Sequence, residues 1–144
     1  MNPEECIFFY LAKANQAGSK VWRKHMSRLN LTAVQGMVLN FLRQADGTTS
    51  KDLGDRTQLD SATMTGILDR LEKMALVERR SHPSDRRAII VCLTEAGRDL
   101  TRQTDQAGER ANRELLQSLE AGEQDQLKAL LKKLRVNPAE NTRV

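Results

Sequence analysis

The side chains able to do chemistry in this sequence are not grouped as a catalyst needs them. The 144 residues include two histidines, His25 and His82, and two cysteines, Cys6 and Cys92. None of them forms a Cys-x-x-Cys or His-x-x-x-His pair, so no metal site is expected. No nucleophile has a partnered base, and there is neither a glycine-rich phosphate loop nor a cluster of carboxylates, so an enzyme is not expected. Cys92 lies in an apolar run and reads as packing. Two other groups stand out: the hydroxyl-rich stretch Ser61, Thr63, Thr65, and the charged turn Asp85-Arg86-Arg87. Short hydroxyl side chains at a helix N-terminus can approach base edges and phosphates closely. An arginine at a hairpin tip is drawn to the negative potential of a narrow DNA minor groove.

The bulk properties fit an anionic partner. The formal charge is +4, and from Lys13 to Lys51 seven basic residues stand against one acid, Asp46, whereas from Asp105 to Gln126 six acids stand against two bases. One basic surface would face an anion; unevenly solvated surface would give the same count. Aromatic residues make up 3%, so the core must come from Leu, Val, Ile, Met and Ala, which favours helices packed on helices. No apolar run reaches the roughly 18 residues of a membrane span, and the N-terminus lacks a signal-peptide pattern. The cytoplasm is the expected location.

The elements that would position these groups follow from periodicity. The first 27 residues read as a helix opening at Pro3. In it Ile7, Leu11, Ala14, Gly18, Val21 and His25 recur at spacings of three and four, with Phe8, Phe9 and Trp22 elsewhere on its circumference. A helix apolar on more than one face has more than one partner. Thr32-x-x-Gln35 is a capping box opening a second helix, which Asp46-Gly47 ends in a turn. Thr49-x-x-Asp52 opens a short helix to about Thr57. Asp60-Ser61 caps a third, running to about Met74 with Met64, Ile67, Leu68 and Leu71 inward. This pair predicts a helix-turn-helix. Strands at 76–81 and 88–93 then flank a polar loop at 82–87, the pattern of a wing. Thr94 caps a long helix with a seam of Ala96, Leu100, Ala107, Ala111, Leu115 and Leu119. Leu127, Leu130, Leu131 and Leu134 mark a last amphipathic helix.

The expected fold class is therefore mostly α with a small β-hairpin wing, a winged helix-turn-helix in one domain at 1–136. The DNA-binding lobe spans about 32–94. Helices at 1–30 and 95–136, with surplus apolar surface, would serve dimerisation, and the polar tail at 137–144 is expected to fray.

The run Leu59 to Thr65, the stretch Leu71 to Arg79, Asp85-Arg86-Arg87, Leu93-Thr94-Glu95-Ala96-Gly97-Arg98 and the Leu31-Thr32-x-x-Gln35 box together resemble the MarR family. These are dimeric winged-helix regulators of bacteria and archaea, and the resemblance covers nearly the whole chain. It implies a homodimer in which the first, fifth and sixth helices interlock, bound to a pseudo-palindromic double-stranded operator. It implies no cofactor. The commonest family logic is repression relieved by a small phenolic or aromatic ligand held between the dimer helices and the DNA-binding lobe.

On that basis Ser61, Thr63, Thr65 and Gly66 are the major-groove candidates, with Ser61 reading equally as a plain N-cap. Arg70 would reach a phosphate or pair within the domain. Arg86 is similar in position to the family's minor-groove arginine, with Asp85 orienting it or a neighbour. Ser50, Lys51, Ser84 and Arg87 are candidate backbone contacts. Three positions depart from the family pattern: Gly66 replaces a longer residue, Gly54 a small alanine, and Ala75 the glycine that ends the recognition helix. Trp22, His25, Met26, Met37 and Phe41 are candidates to line a ligand pocket and read equally as core. Cys6 and Tyr10, four apart, resemble the cysteine and tyrosine of an oxidant-sensing branch. Cys6 nevertheless lies two residues too far from Thr32, and a second tyrosine is missing. An oxidation-sensing repressor and a winged helix used only for protein contacts are the alternatives.

Overall fold

The computed structural model describes residues 2–134, so the tail expected to fray lies outside the described residues. A 3-10 turn at Pro3–Glu5 leads into α1 (Ile7–Ser27), followed by α2 (Ala33–Gln44), β1 (Thr48–Thr49), α3 (Ser50–Thr57), α4 (Ser61–Lys73), β2 (Val77–Ser81), β3 (Ile89–Leu93), α5 (Glu95–Leu116) and α6 (Ala121–Leu134). The expected continuous first helix is broken at Cys6, which is extended (φ −72°, ψ 129°) and serves as the N-cap of α1. The cause is local: the Asn2 side chain accepts the Glu4 N–H and closes a separate turn. No described helix is long and apolar enough to cross a membrane.

The three strands form an antiparallel sheet in the order β1-β3-β2. Val77 faces Leu93, Arg79 faces Val91 and Ser81 faces Ile89 across the hairpin, while Thr48 and Thr49 pair with Val91 and Ile90. The wing hairpin is thereby tied at its base to the segment between α2 and α3. The core lies where α2, α3, α4 and the sheet meet α1 and α5, with Met26, Leu39, Leu42, Leu53, Met64 and Leu71 wholly buried. Thr32 and Gln35 form both halves of their capping box, at 3.2 and 2.8 Å.

Along α5 the buried face differs from the expected seam. Gly97, Thr101, Thr104, Ala107, Gly108 and Ala111 are buried, while Ala96 and Leu115 are exposed. The threonines tolerate burial because their hydroxyls are bonded: Thr101 donates to the Arg98 carbonyl at 2.8 Å, and Thr104 meets Asn40 Oδ1 at 2.5 Å. At Gly108 a Cβ would lie 3.3 Å from the Trp22 ring, so a missing side chain admits the indole.

The end of α4 is built around one carbonyl. Ala75 takes a left-handed conformation (φ 56°), with Leu76 N–H bonded to Leu71 O at 3.0 Å and Ala75 N–H to Glu72 O at 2.9 Å. These two bonds make a Schellman cap. The Leu76 carbonyl then accepts the Thr94 N–H at 3.1 Å. The Thr94 hydroxyl donates to the Ala75 carbonyl at 2.7 Å and accepts from the Gly97 N–H at 3.0 Å. A Cβ on Gly97 would sit 2.0 Å from Leu76 O. Two substitutions at this junction are expected to act in opposite directions. Ala75→Gly removes the left-handed cost and should stabilise by about 1 kcal/mol. Gly97→Ala forces the backbones apart and should destabilise by roughly 1–3 kcal/mol. Urea unfolding midpoints at unchanged slope would measure both, and equal midpoints for the two variants would contradict the packing described.

Candidate nucleic-acid interface

The turn between α3 and α4 sets how α4 is presented. Gln58 is left-handed (φ 58°), and the Leu59 N–H returns to Gly54 O at 3.1 Å. A Cβ on Gly54 would lie only 3.2 Å from Leu59 O. The glycine that weakens the helix by ~1 kcal/mol therefore leaves room for a tight turn.

Asp60, rather than Ser61, is the cap of α4. Its carboxylate accepts the Thr63 N–H at 2.8 Å and the Thr63 hydroxyl at 2.6 Å. Those bonds, the hydroxyl's first, hold the Asp60 carboxyl below its ordinary value. Ser61 is the first helical residue. The Thr65 hydroxyl donates back to the Ser61 carbonyl at 2.8 Å, leaving lone pairs outward. Ser61, Thr63, Thr65, Gly66 and Arg70 are all exposed, opposite the buried Met64, Ile67, Leu68 and Leu71. Arg70 has no ion pair among the described residues. A Cβ on Gly66 would meet nothing within 4 Å, so this glycine opens the helix backbone itself to an approaching molecule. On α3, Thr49 is the cap, Ser50 is half-buried and Lys51 is exposed.

The wing loop is ordered by its own short side chains. Asp85 Oδ1 accepts the Arg87 N–H at 3.0 Å, and the Asp85 carbonyl accepts the Ala88 N–H at 3.0 Å. The aspartate thus shapes the turn through the backbone rather than by gripping the Arg86 guanidinium. His82 Nδ1 accepts the Ser84 N–H at 3.2 Å. Ser84, Arg86 and Arg87 are exposed, and among the described residues neither arginine has a carboxylate partner. Arg79 and Arg80, lower in the same hairpin, are both ion-paired.

Two elements of this lobe escaped the sequence reading. Asp46 accepts the Leu93 N–H at 2.8 Å and pairs with Arg98 at 2.7 Å, fastening β3 and α5 to the end of α2. Arg79 of β2 pairs with Asp69 at 2.6 Å and Glu72 at 2.5 Å on α4. The available signal was alternation: Arg79 shares a strand face with Val77, and a charge on an inward face needs a partner.

The candidate pocket residues are placed differently from one another. Met26 is wholly buried against Gly36, where a Cβ would lie 2.3 Å from its sulfur, so it is core rather than pocket wall. Trp22 donates its indole N–H to the Ala33 carbonyl at 2.8 Å. His25 is buried with Nε2 2.8 Å from Glu114 Oε2. Met37 and Phe41 are half-buried, and Arg56 stacks over the Phe41 ring at 5.3 Å. At the N-terminus the Tyr10 N–H bonds the Cys6 carbonyl at 3.3 Å. Its exposed ring meets Phe9 edge-on at 6.1 Å, and no bond joins the phenol to the thiol among the described residues.

Comparison with known proteins gives a consistent picture. The family model described as "MarR family" matches residues 31–89. The multiple antibiotic resistance protein MarR of Escherichia coli is 35% identical over 121 residues, covering 83% of this chain and 84% of that protein. The organic hydroperoxide resistance transcriptional regulator of Bacillus subtilis is 31% identical over 67% of this chain and 66% of its own length. A cysteine-to-serine variant of E. coli MarR complexed with operator DNA superposes with a TM-score of 0.84 at 32% identity, covering 94% of this chain and 99% of that one. BpsR of Bordetella bronchiseptica, whose DNA binding is described as regulated by 6-hydroxynicotinic acid, gives a TM-score of 0.86 at 28% identity, covering 93% and 96%. With a winged helix-turn-helix, a capped helix of outward hydroxyls and a wing tipped by exposed arginines, this chain belongs to the MarR family of transcriptional regulators.

Proposed function

We propose that the chain is a sequence-specific DNA-binding repressor that acts as a homodimer and is released by a small aromatic or phenolic ligand. The observation that carries the DNA reading is the contrast in the wing. Its lower arginines are paired within the lobe, while Arg86 and Arg87, at a tip shaped by Asp85, have no carboxylate partner among the described residues. Bare guanidinium groups at a hairpin tip suit a minor groove, and the outward face of α4 suits base edges and phosphates. Ser50, Lys51, Ser84 and Arg70 then serve as backbone contacts. The homodimer is supported by apolar surface left uncovered at both ends of the chain. Phe8 is 77% and Ile7 57% exposed, and α6 buries none of its four leucines. Ligand release is supported by the likeness to BpsR, and the half-buried Trp22, Met37 and Phe41 are the remaining apolar candidates to meet an effector.

A gel shift with the DNA upstream of the gene tests the reading. Arg86→Ala should weaken binding by roughly 1–3 kcal/mol if it reads bases, or lower the salt slope by about 1 if it meets a phosphate. Unchanged binding by the variant removes the wing from the interface, and no binding by either protein removes that site as the operator. Adding a salicylate-like phenol to the complex should free the DNA; a complex that persists at saturating phenol dismisses this class of effector. Gly66→Ala separates stability from recognition. It should raise stability by about 1 kcal/mol yet weaken operator binding, because a new methyl would stand where DNA approaches the backbone. Equal or tighter binding would place the DNA away from Gly66.

A further inference from the structure

We propose that Arg79 is a positioning residue of the DNA interface: it locks the wing to the recognition helix and screens two carboxylates of that helix from DNA. The inference rests on the DNA-binding reading above. Arg79 lies on the face of β2 that also carries the buried Val77, opposite Val91 of β3. From there it bridges to α4 by three bonds: Nη2 to Asp69 Oδ1 at 2.6 Å, Nη1 to Glu72 Oε2 at 2.5 Å, and its own N–H to Glu72 Oε1 at 3.2 Å. The guanidinium fork holds two carboxylates at once in a fixed geometry, which a lysine cannot do. The Arg79 side chain is 30% exposed and those of Asp69 and Glu72 are 51% and 41% exposed, so the bridge is open to solvent on its carboxylate side and weakens as salt rises.

Two consequences follow from where the bridge sits. Thr65, Asp69 and Glu72 fall on one stripe of α4, so the clamped carboxylates begin one turn, about 6 Å, beyond Thr65. Unpaired, they would repel phosphates beside the hydroxyl face. The bridge also fixes the base of the hairpin whose tip bears Arg86 and Arg87. A wing and a helix that must enter neighbouring grooves together need a set separation, and Arg79 supplies it from the side chain. Phosphate attraction alone does not depend on that separation, so the clamp governs discrimination more than overall adhesion.

The test uses the full-length protein and a duplex selected by the wild type from a random DNA pool, with a scrambled duplex of equal length as the reference. Binding to each is measured by fluorescence anisotropy across a salt series, and circular dichroism confirms folding at the assay temperature. Arg79→Met should lower the selected-to-scrambled affinity ratio by roughly tenfold, with Arg79→Lys intermediate and serving alone if the methionine variant does not fold. Adding Asp69→Asn and Glu72→Gln to Arg79→Met should restore affinity for the scrambled duplex without restoring the ratio. A ratio within roughly twofold of wild type in the folded Arg79 variants overturns the proposal, even if their melting temperature falls. So does full recovery of the ratio in the triple variant, which would leave charge screening without positioning. A wild type that selects no sequence fails at the DNA-binding reading itself, and is thereby told apart from failure of the clamp.

Discussion

The lobe is organised around the Leu76 carbonyl. It belongs to the residue whose N–H closes the recognition helix beyond the left-handed turn at Ala75, and it accepts the first amide beyond the wing, Thr94. It also lies against the bare Cα of Gly97 near the start of α5. Three elements meet within a few residues: the helix that presents hydroxyls, the hairpin that presents arginines, and the long helix that runs away from both. A buried carbonyl without a partner costs a few kcal/mol, so the wing strands cannot separate from α5 without losing this bond. With the pairing of β1 to β3 and the Asp46 and Arg79 contacts, that close approach makes the wing an extension of the helix frame rather than a free hairpin, which alone would be only marginally stable.

A second set of contacts joins that frame to the N-terminal helices. Asn40 meets the wholly buried Thr104, Arg43 pairs with Asp105, and Glu114 takes both Lys24 and His25. The Glu114 carboxyl is held below its ordinary value by its bonds to Lys24 and then His25. The exposed pairs contribute little by themselves, on the order of 0–1 kcal/mol each. The close packing is steric: Gly108 of α5 takes the Trp22 ring of α1, and Gly36 of α2 takes the Met26 sulfur of α1. The polar contacts set register on a surface where small residues have already allowed close approach.

Much of this was legible in the sequence because local signals agreed with one another. Thr32 with Gln35 and Thr49 with Asp52 both formed the caps that their spacing announces. The apolar period of α4 placed its buried face correctly, and β-branched residues marked β3. Apart from the local break at Cys6 set by the Asn2 cap, what failed depends mainly on partners distant in sequence. Strand β1, at two residues, is too short to carry a period and exists only because Val91 and Ile90 lie beside it. The buried face of α5 was displaced toward Ala96 because Thr101 and Thr104 read as polar, although their hydroxyls are satisfied inside the protein. Met26 offered the same pattern as a pocket wall, and only the space above Gly36 shows it to be core. Asp60 and Ser61 are both good caps by type, and the two bonds from Thr63 decide between them.

The distribution of paired and bare cations follows from the same geometry. Arg43, Arg79 and Arg98 each span two elements, and each finds a carboxylate supplied by the other element. Their charges are consumed in holding the frame. Arg70, Arg86, Arg87 and Lys51 have no ion pair among the described residues, and all lie in the lobe formed by α3, α4 and the wing. Net charge alone would not have separated the two groups, since a modest +4 averages over both. An anionic partner responds to the local field rather than to the average. The internal pairs therefore tie wing, recognition helix and α5 together, while Lys51, Arg70, Arg86 and Arg87 keep charges that no carboxylate among the described residues offsets.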